Sequence, residues 1–108
     1  MNLNPDQTLQ EGTEVFFVIN TREIILSQKA TPEGFYVRGK IERGRFRPKG
    51  GVLGIGNLAT EGRYGWLEIN TKEFFPMESD KKADMPFLKG YMVEDEFKPS
   101  EREVIDGP

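Results

Sequence analysis

The chain has 108 residues, which is the length of one domain, and its composition excludes several kinds of site. It is 36% hydrophobic and 31% charged, and it contains no histidine and no cysteine. Zinc sites of the Cys/His type, Ser-His-Asp and Cys-His catalytic arrangements and disulfides are therefore excluded. Any catalysis would depend on carboxylates, Lys, Arg, Tyr or a bound cofactor. We expect a non-catalytic module without a metal or a cofactor.

The beginning of the chain shows no signal for export or for insertion into a membrane. Residues 1–14 lack the basic stretch followed by an apolar stretch that is typical of a secretory signal. The longest apolar run, residues 15–19, is far shorter than the roughly 20 residues that a membrane-spanning helix needs. A soluble chain without cysteine fits the cytosol, and the cytoplasm is the expected location by default.

Short strands separated by turns are the main elements that the sequence predicts. Several runs are rich in β-branched and aromatic residues and too short for helices. Thr-Pro-Glu-Gly and other Gly-containing segments predict the turns between them. In chain order, the predicted elements are a flexible lead-in at 1–12, strands at 13–20, 23–27 and 35–42, a basic loop at 43–51, strands at 52–58, 63–70 and 87–93, and a mobile acidic tail at 94–108.

Six or seven short strands without a long helix predict an all-β fold. No segment of eleven or more residues keeps the apolar spacing and the capping signals of a helix. The architecture is expected to be a small antiparallel barrel, similar to the OB-fold, or a two-sheet sandwich. Residues 13–93 would form its single β domain. No internal repeat is expected.

The net charge of −3 is unevenly distributed along the chain. Residues 36–50 hold six Lys/Arg and one Glu, whereas residues 91–108 hold two Lys/Arg and six Asp/Glu. A local concentration of positive charge can attract an anionic partner even when the whole protein is acidic. The sequence therefore predicts a polarised molecule.

Two motifs that suggest chemistry are better explained by structure. Residues 54–59 match the Gly-x-Gly-x-x-Ala pattern of dinucleotide-binding proteins, but the residues that follow predict a turn instead of a helix. These glycines are expected to bend a strand. Eighteen Asp/Glu will place some carboxylates close together by chance, and none has the apolar surroundings that would raise its pKa. Residues 94–96 lack the ligand spacing of a calcium loop.

Basic residues interleaved with aromatic residues form the most informative pattern. Alternation in the strand at 35–42 places Tyr36, Arg38 and Lys40 on the face opposite the apolar one. Alternation in the strand at 63–70 places Tyr64 and Trp66 opposite its apolar side. If both strands belong to one sheet, these groups share a surface with the basic loop. The candidate phosphate-binding residues are Arg38, Lys40, Arg43, Arg45, Arg47 and Lys49, and the candidate stacking residues are Tyr36, Phe46, Tyr64 and Trp66.

Single-stranded DNA or RNA binds to surfaces of this kind, because bases stack on rings while phosphates meet Lys and Arg. The layout resembles, in outline, bacterial single-stranded-DNA-binding proteins, which have a β-barrel, a basic-aromatic face and an acidic tail. The sequence lacks the acidic-Pro-Phe ending through which that family recruits partners. The alternative for Tyr64 and Trp66 is a second core face.

A second hypothesis is a small protein-interaction module, such as a phage or mobile-element inhibitor, an immunity protein or an assembly protein. Its partner, or a second copy in a homodimer, would bind the same Arg and aromatic side chains or an exposed strand edge.

Overall fold

Eight antiparallel strands make up the regular structure of residues 11–29, 31–54 and 56–106, which the computed structural model describes. They form two four-stranded sheets, in the orders β2-β1-β3-β4 and β6-β5-β7-β8. The arrangement is a sandwich and not a closed barrel, so the all-β prediction is confirmed in its two-sheet form. The strands are β1 (Glu14–Val18), β2 (Glu23–Leu26), β3 (Tyr36–Glu42), β4 (Arg45–Leu53), β5 (Arg63–Glu68), β6 (Phe74–Pro76), β7 (Phe87–Val93) and β8 (Glu96–Ile105).

Alternating side chains of both sheets meet in one hydrophobic core. In β1, Val15 and Phe17 are fully buried, while Phe16 between them is only half-buried on the outer face. Phe17 packs against Phe46 of the same sheet, with ring centroids 6.0 Å apart. Burial of each such side chain contributes about 1.5–3 kcal/mol. The buried hydrophobic residues are Val15, Phe17, Ile19, Val37, Ile41, Phe46, Val52, Leu67, Ile69, Leu88 and Phe97.

The predicted basic loop at 43–51 is wrong, because this stretch belongs to β4 and to the turn before it. Arg43 and Gly44 form the two-residue connection, with φ of 55° and 73°. Positive φ at both central positions is the geometry of the type I′ hairpin turn. Pro48 is tolerated in the strand because β4 lies at the edge of its sheet and the register shifts near this position. The strand then ends at Leu53, so the strand predicted at 52–58 does not form.

The predicted mobile tail at 94–108 is also wrong over most of its length. Residues 96–105 form β8, which pairs along β7. Phe97 and Pro99 are fully buried, and Val104 packs against the core. Many side chains of this segment are charged, and for this reason its sequence does not reveal the few apolar residues that face the core. Residues 107–108 lie outside the described residues, as do residues 1–10 of the predicted lead-in.

The two sheets are built in the same way. Each sheet consists of two hairpins, which are β1–β2 and β3–β4 in one sheet and β5–β6 and β7–β8 in the other. The first strands of the two hairpins pair with each other, β1 with β3 and β5 with β7. Each second hairpin has a register irregularity at the corresponding place, after Val37 and after Leu88. Past it, Gly39 lies opposite Pro48 and Gly90 lies opposite Pro99. We call β1 to β4 the first unit and β5 to β8 the second unit.

Matching the strands reveals an internal repeat, so the expectation that the chain has none is wrong. Residues 11–23 (EGTEVFFVINTRE) correspond to residues 61–73 (EGRYGWLEINTKE) at an offset of 50 positions. Residues 37–48 (VRGKIERGRFRP) correspond to residues 88–99 (LKGYMVEDEFKP) at an offset of 51 positions. The backbone repeats too: at the first offset Arg22 and Lys72 both have positive φ, and at the second Arg43 and Glu94 do. The fold is therefore a tandem duplication of a four-stranded unit.

In each unit, a phenylalanine ring packs closely against a glycine of the neighbouring strand. A Cβ built on Gly39 would lie 2.6 Å from the ring of Phe46 and would collide with the carbonyl of Arg47. A Cβ built on Gly90 would lie 2.5 Å from the ring of Phe97 and would meet the corresponding backbone. In both units, the ring occupies the space that any side chain at the glycine would need.

We therefore expect Gly39→Ala and Gly90→Ala each to lower the free energy of unfolding by about 1–3 kcal/mol, which is typical of forced overpacking. Chemical denaturation of the purified variants measures this. The matched control is Gly50→Ala in β4, where no heavy atom lies within 4 Å of the added Cβ. A loss of stability in the control as large as that in the two test variants would contradict the packing argument.

Candidate functional site

Six cations of the first unit lie together on the outer side of β3 and β4 and in the turn between them. We call this surface the basic face. It contains two depressions, of about 320 and 530 Å³, each lined by three of the cations. The depressions adjoin, because Glu42 of one is ion-paired with Lys49 of the other. The structure thus brings together all six predicted phosphate-binding residues, which are Arg38, Lys40, Arg43, Arg45, Arg47 and Lys49.

Two of these cations have ion-pair partners. Arg47 lies 3.2 Å from a carboxylate oxygen of Asp106, and Lys49 lies 3.3 Å from one of Glu42. All four side chains are substantially exposed to solvent, so each pair contributes little, about 0–1 kcal/mol. The other four cations have no carboxylate within 4.0 Å among the residues that the structure describes. Most of the positive charge of the basic face is therefore available to an anion.

An aromatic pair borders the basic face on the same side of the sheet. Tyr36 begins β3, and its ring meets that of Phe16 edge to face, with centroids 5.1 Å apart and an interplanar angle of 70°. Phe16 lies directly opposite Arg38 in the ladder between β1 and β3. Both rings are half-buried and leave part of their surface open. Phe16 is not among the predicted stacking residues, because the continuous apolar run at residues 15–19 does not distinguish the inner face of the strand from its outer face.

Phe46, which was predicted as a stacking residue, lies in the core with 1% of its surface exposed. Side chains alternate along β4, so the ring of Phe46 points into the core while Arg45 and Arg47 point outward. Its ring cannot stack on a base, so it is not part of the candidate site. Phe46 was expected to be exposed because its segment was predicted to be a loop. The segment is a strand instead, and alternation in a strand turns every second side chain towards the core.

Tyr64 and Trp66 lie on the outer face of β5, as the alternation predicts, but β5 belongs to the second sheet. The two sheets share their inner faces, so these rings do not border the basic face. The expectation of one continuous basic-aromatic surface is therefore wrong. The second sheet has an aromatic surface of its own: Tyr64 contacts Tyr91 at a centroid distance of 5.0 Å, and Trp66 contacts Phe87 at 6.2 Å.

Charge separates between the two units. Residues 11–54 contain eight Lys/Arg and five Asp/Glu, whereas residues 56–106 contain seven Lys/Arg and twelve Asp/Glu. The hairpin turns show this most clearly, because residues 43–45 read Arg-Gly-Arg and the corresponding residues 94–96 read Glu-Asp-Glu.

The carboxyl of Glu78, which follows the last strand-forming residues of β6, has a lowered pKa. The main cause is a hydrogen bond from the backbone, and the second cause is the guanidinium of Arg63 at 3.0 Å.

Comparisons with known proteins gave no match to a protein-family model, to a curated protein or to a solved structure. Within residues 11–29, 31–54 and 56–106, no three acidic side chains are grouped so that they could hold a metal ion. The same part of the chain has no helix with the length and apolar character needed to cross a membrane.

One hydrogen bond between the units fixes the position of the basic strand β4. The N–H of Phe46 points away from β3, because residues 41 and 46 form a non-hydrogen-bonded pair beside the turn. It donates instead to Oδ1 of Asn70 in the second unit, at 2.9 Å. Nδ2 of Asn70 is buried and has no partner among the described residues. Asn70 therefore links the second unit to the backbone between Arg45 and Arg47.

We expect Asn70→Ala to lower the free energy of unfolding by about 1–3 kcal/mol, because it leaves the N–H of Phe46 without its partner. Asn20→Ala is the matched control, since Asn20 occupies the corresponding position of the first unit and is exposed to solvent. Its effect should be within about 0.5 kcal/mol. Equal losses in the two variants, measured by chemical denaturation, would show that the bond to Phe46 has no special weight.

Proposed function

We propose that the protein is a non-catalytic module that binds single-stranded nucleic acid in the cytoplasm through the basic face. One observation carries the proposal: six cations surround two adjoining depressions beside the partly open rings of Phe16 and Tyr36. Phosphates have cations to meet, and bases have rings to stack on.

Several features favour a single strand over a duplex. An exposed row of basic and aromatic side chains on an antiparallel sheet suits unpaired bases, whose faces are open, whereas a duplex hides them. The outer row of β3 from Tyr36 to Lys40 extends for about 13 Å at the usual rise per residue, which accommodates a short segment of chain. Ring stacking contributes about 1–3 kcal/mol per base without demanding a particular sequence. Binding with little sequence preference is therefore expected.

A protein partner is the alternative function, and the sheet edges favour it. β2 and β6 each end a sheet, so each presents unpaired backbone groups to which another strand could add. Four carboxylates, those of Glu11, Glu14, Glu42 and Asp106, also lie among the cations, and mixed charge suits a protein surface. A homodimer formed through such an edge would be seen as a doubled mass in light scattering.

The double variant Arg38→Ala/Lys40→Ala should bind a fluorescein-labelled oligothymidine at least about tenfold more weakly, because it removes two phosphate contacts. The slope of log affinity against log salt should also become shallower by about 1.4, since each contact to a single strand contributes about 0.7. Fluorescence anisotropy measured over a range of salt concentrations gives both quantities.

The matched control is Lys81→Ala/Lys82→Ala, which makes the same change in net charge at two exposed lysines outside the basic face. Its affinity should stay within about twofold of that of the unmodified protein, because only the long-range field changes. Equal weakening in both double variants would mean that overall charge, and not the basic face, determines binding. Absence of any binding at low salt would refute the proposal and leave the protein partner.

Asp106 is positioned to compete with a phosphate for Arg47. Asp106→Asn removes the negative charge of that pair but keeps the shape of the side chain. We expect oligothymidine to bind about twofold to fivefold more tightly, since the pair that must open is weak. The control is Asp80→Asn in the segment between β6 and β7, which should leave the affinity unchanged. Unchanged or weaker binding by Asp106→Asn would place Arg47 outside the contact.

A further inference from the structure

The outer faces of the two units share a set of aromatic and basic side chains. Phe16 corresponds to Trp66, and Tyr36 corresponds to Phe87. Each pair meets edge to face, at interplanar angles of 70° and 78°. A cation lies directly opposite the first ring in both sheets: Arg38 faces Phe16, and Lys89 faces Trp66. A second cation stands on the last strand of each sheet, as Arg47 and as Lys98.

Other outer positions have changed their chemistry completely between the units. They have exchanged acid for aromatic, cation for aromatic and cation for acid, at Glu14 and Tyr64, Lys40 and Tyr91, and Arg45 and Glu96. Side chains on an outer face do not fill the core, so the fold tolerates these exchanges. Retention of two rings and two cations among such variable positions indicates a common task.

We propose that the outer face of the second sheet is a second binding site for single-stranded nucleic acid, separate from the basic face. The choice of ligand rests on the proposed function of the basic face. We call this surface the aromatic face. Its rings belong to three neighbouring strands and are all partly open to solvent, and they are Tyr64, Trp66, Phe75, Phe87 and Tyr91.

The aromatic face differs from the basic face in the balance of its contacts. Lys89 has no carboxylate within 4.0 Å among the described residues, while Lys98 pairs with Glu96 at 3.3 Å. Five rings offer stacking to several bases, but only one or two cations can meet phosphates. The affinity of this face should therefore depend weakly on salt, with a slope of about −0.7 to −1.4 in a plot of log affinity against log salt.

Trp66 is the single tryptophan of the chain, and it lies on the aromatic face. An unlabelled thymidine octamer should therefore quench its emission in a saturable titration. The full chain is compared with three variants: Arg38→Ala/Lys40→Ala on the basic face, Lys89→Ala on the aromatic face, and Lys82→Ala as a control away from both. Anisotropy of a fluorescein-labelled octamer, measured in parallel, reports total binding.

The expected result is that the basic-face variant keeps the midpoint of Trp66 quenching within about twofold, while Lys89→Ala moves it to at least about fivefold higher concentration. Lys82→Ala should resemble the unmodified protein. Unchanged Trp66 emission while anisotropy reports a complex would overturn the second site and leave the basic face intact. Loss of quenching in the basic-face variant would also overturn it, because Trp66 would then sense the first site indirectly. Quenching sensitive to Lys89 alone, with anisotropy unaffected by Arg38 and Lys40, would support the second site and refute the first.

Discussion

In each sheet, a phenylalanine ring occupies the space above a glycine of the neighbouring strand, where any side chain would collide with it. The contact between Phe46 and Gly39, and that between Phe97 and Gly90, hold the last strand of each unit in one register. Since strand side chains alternate, fixing Phe46 inward also fixes Arg45 and Arg47 outward. The position of the charged surface is thus a consequence of how the core packs.

Duplication explains how so short a chain builds a two-sheet core. A lone four-stranded sheet would leave its apolar face exposed to water, but two copies cover each other and share one interior. The two units are not identical in detail, because Asn70 binds the backbone of Phe46 while its counterpart Asn20 is exposed. The inner faces must stay complementary, and the outer faces are free to differ. This freedom allows one unit to carry cations where the other carries rings.

The sequence predicts most strands where runs of β-branched and aromatic residues make them distinct, as in β1, β3, β5 and β7. It does not reveal β4 and β8, because proline, glycine and a high density of charge look like loop or tail when their apolar residues are few. Phe97 and Val104 show that a few core-facing apolar residues are enough to form a strand when a neighbouring strand pairs with it and fixes its register. The repeat is difficult to recognise in the sequence because few residues are shared between the two units and the offset between them changes from 50 to 51 positions.

The sequence predicts which side chains of the candidate site share a face within one strand, but it does not predict how the strands are combined. Alternation correctly places Arg38 and Lys40 beside Tyr36, since all three belong to one strand. It cannot show which sheet a strand joins, and for this reason Trp66 is separated from the basic face. Sheet membership depends on contacts between residues that are distant in the chain, such as the pairing of β5 with β7.

The opposite charges of the two corresponding hairpin turns give the molecule a permanent electric dipole. Residues 43–45 belong to the unit with net positive charge, and residues 94–96 belong to the unit with net negative charge. A dipole in the field of a polyanion experiences a torque, so beside a polyanion the protein would rotate until its positive unit leads. With the proposed function, a nucleic acid strand would therefore be attracted to the first unit, while the rings of the second unit would have to bind a strand without long-range attraction.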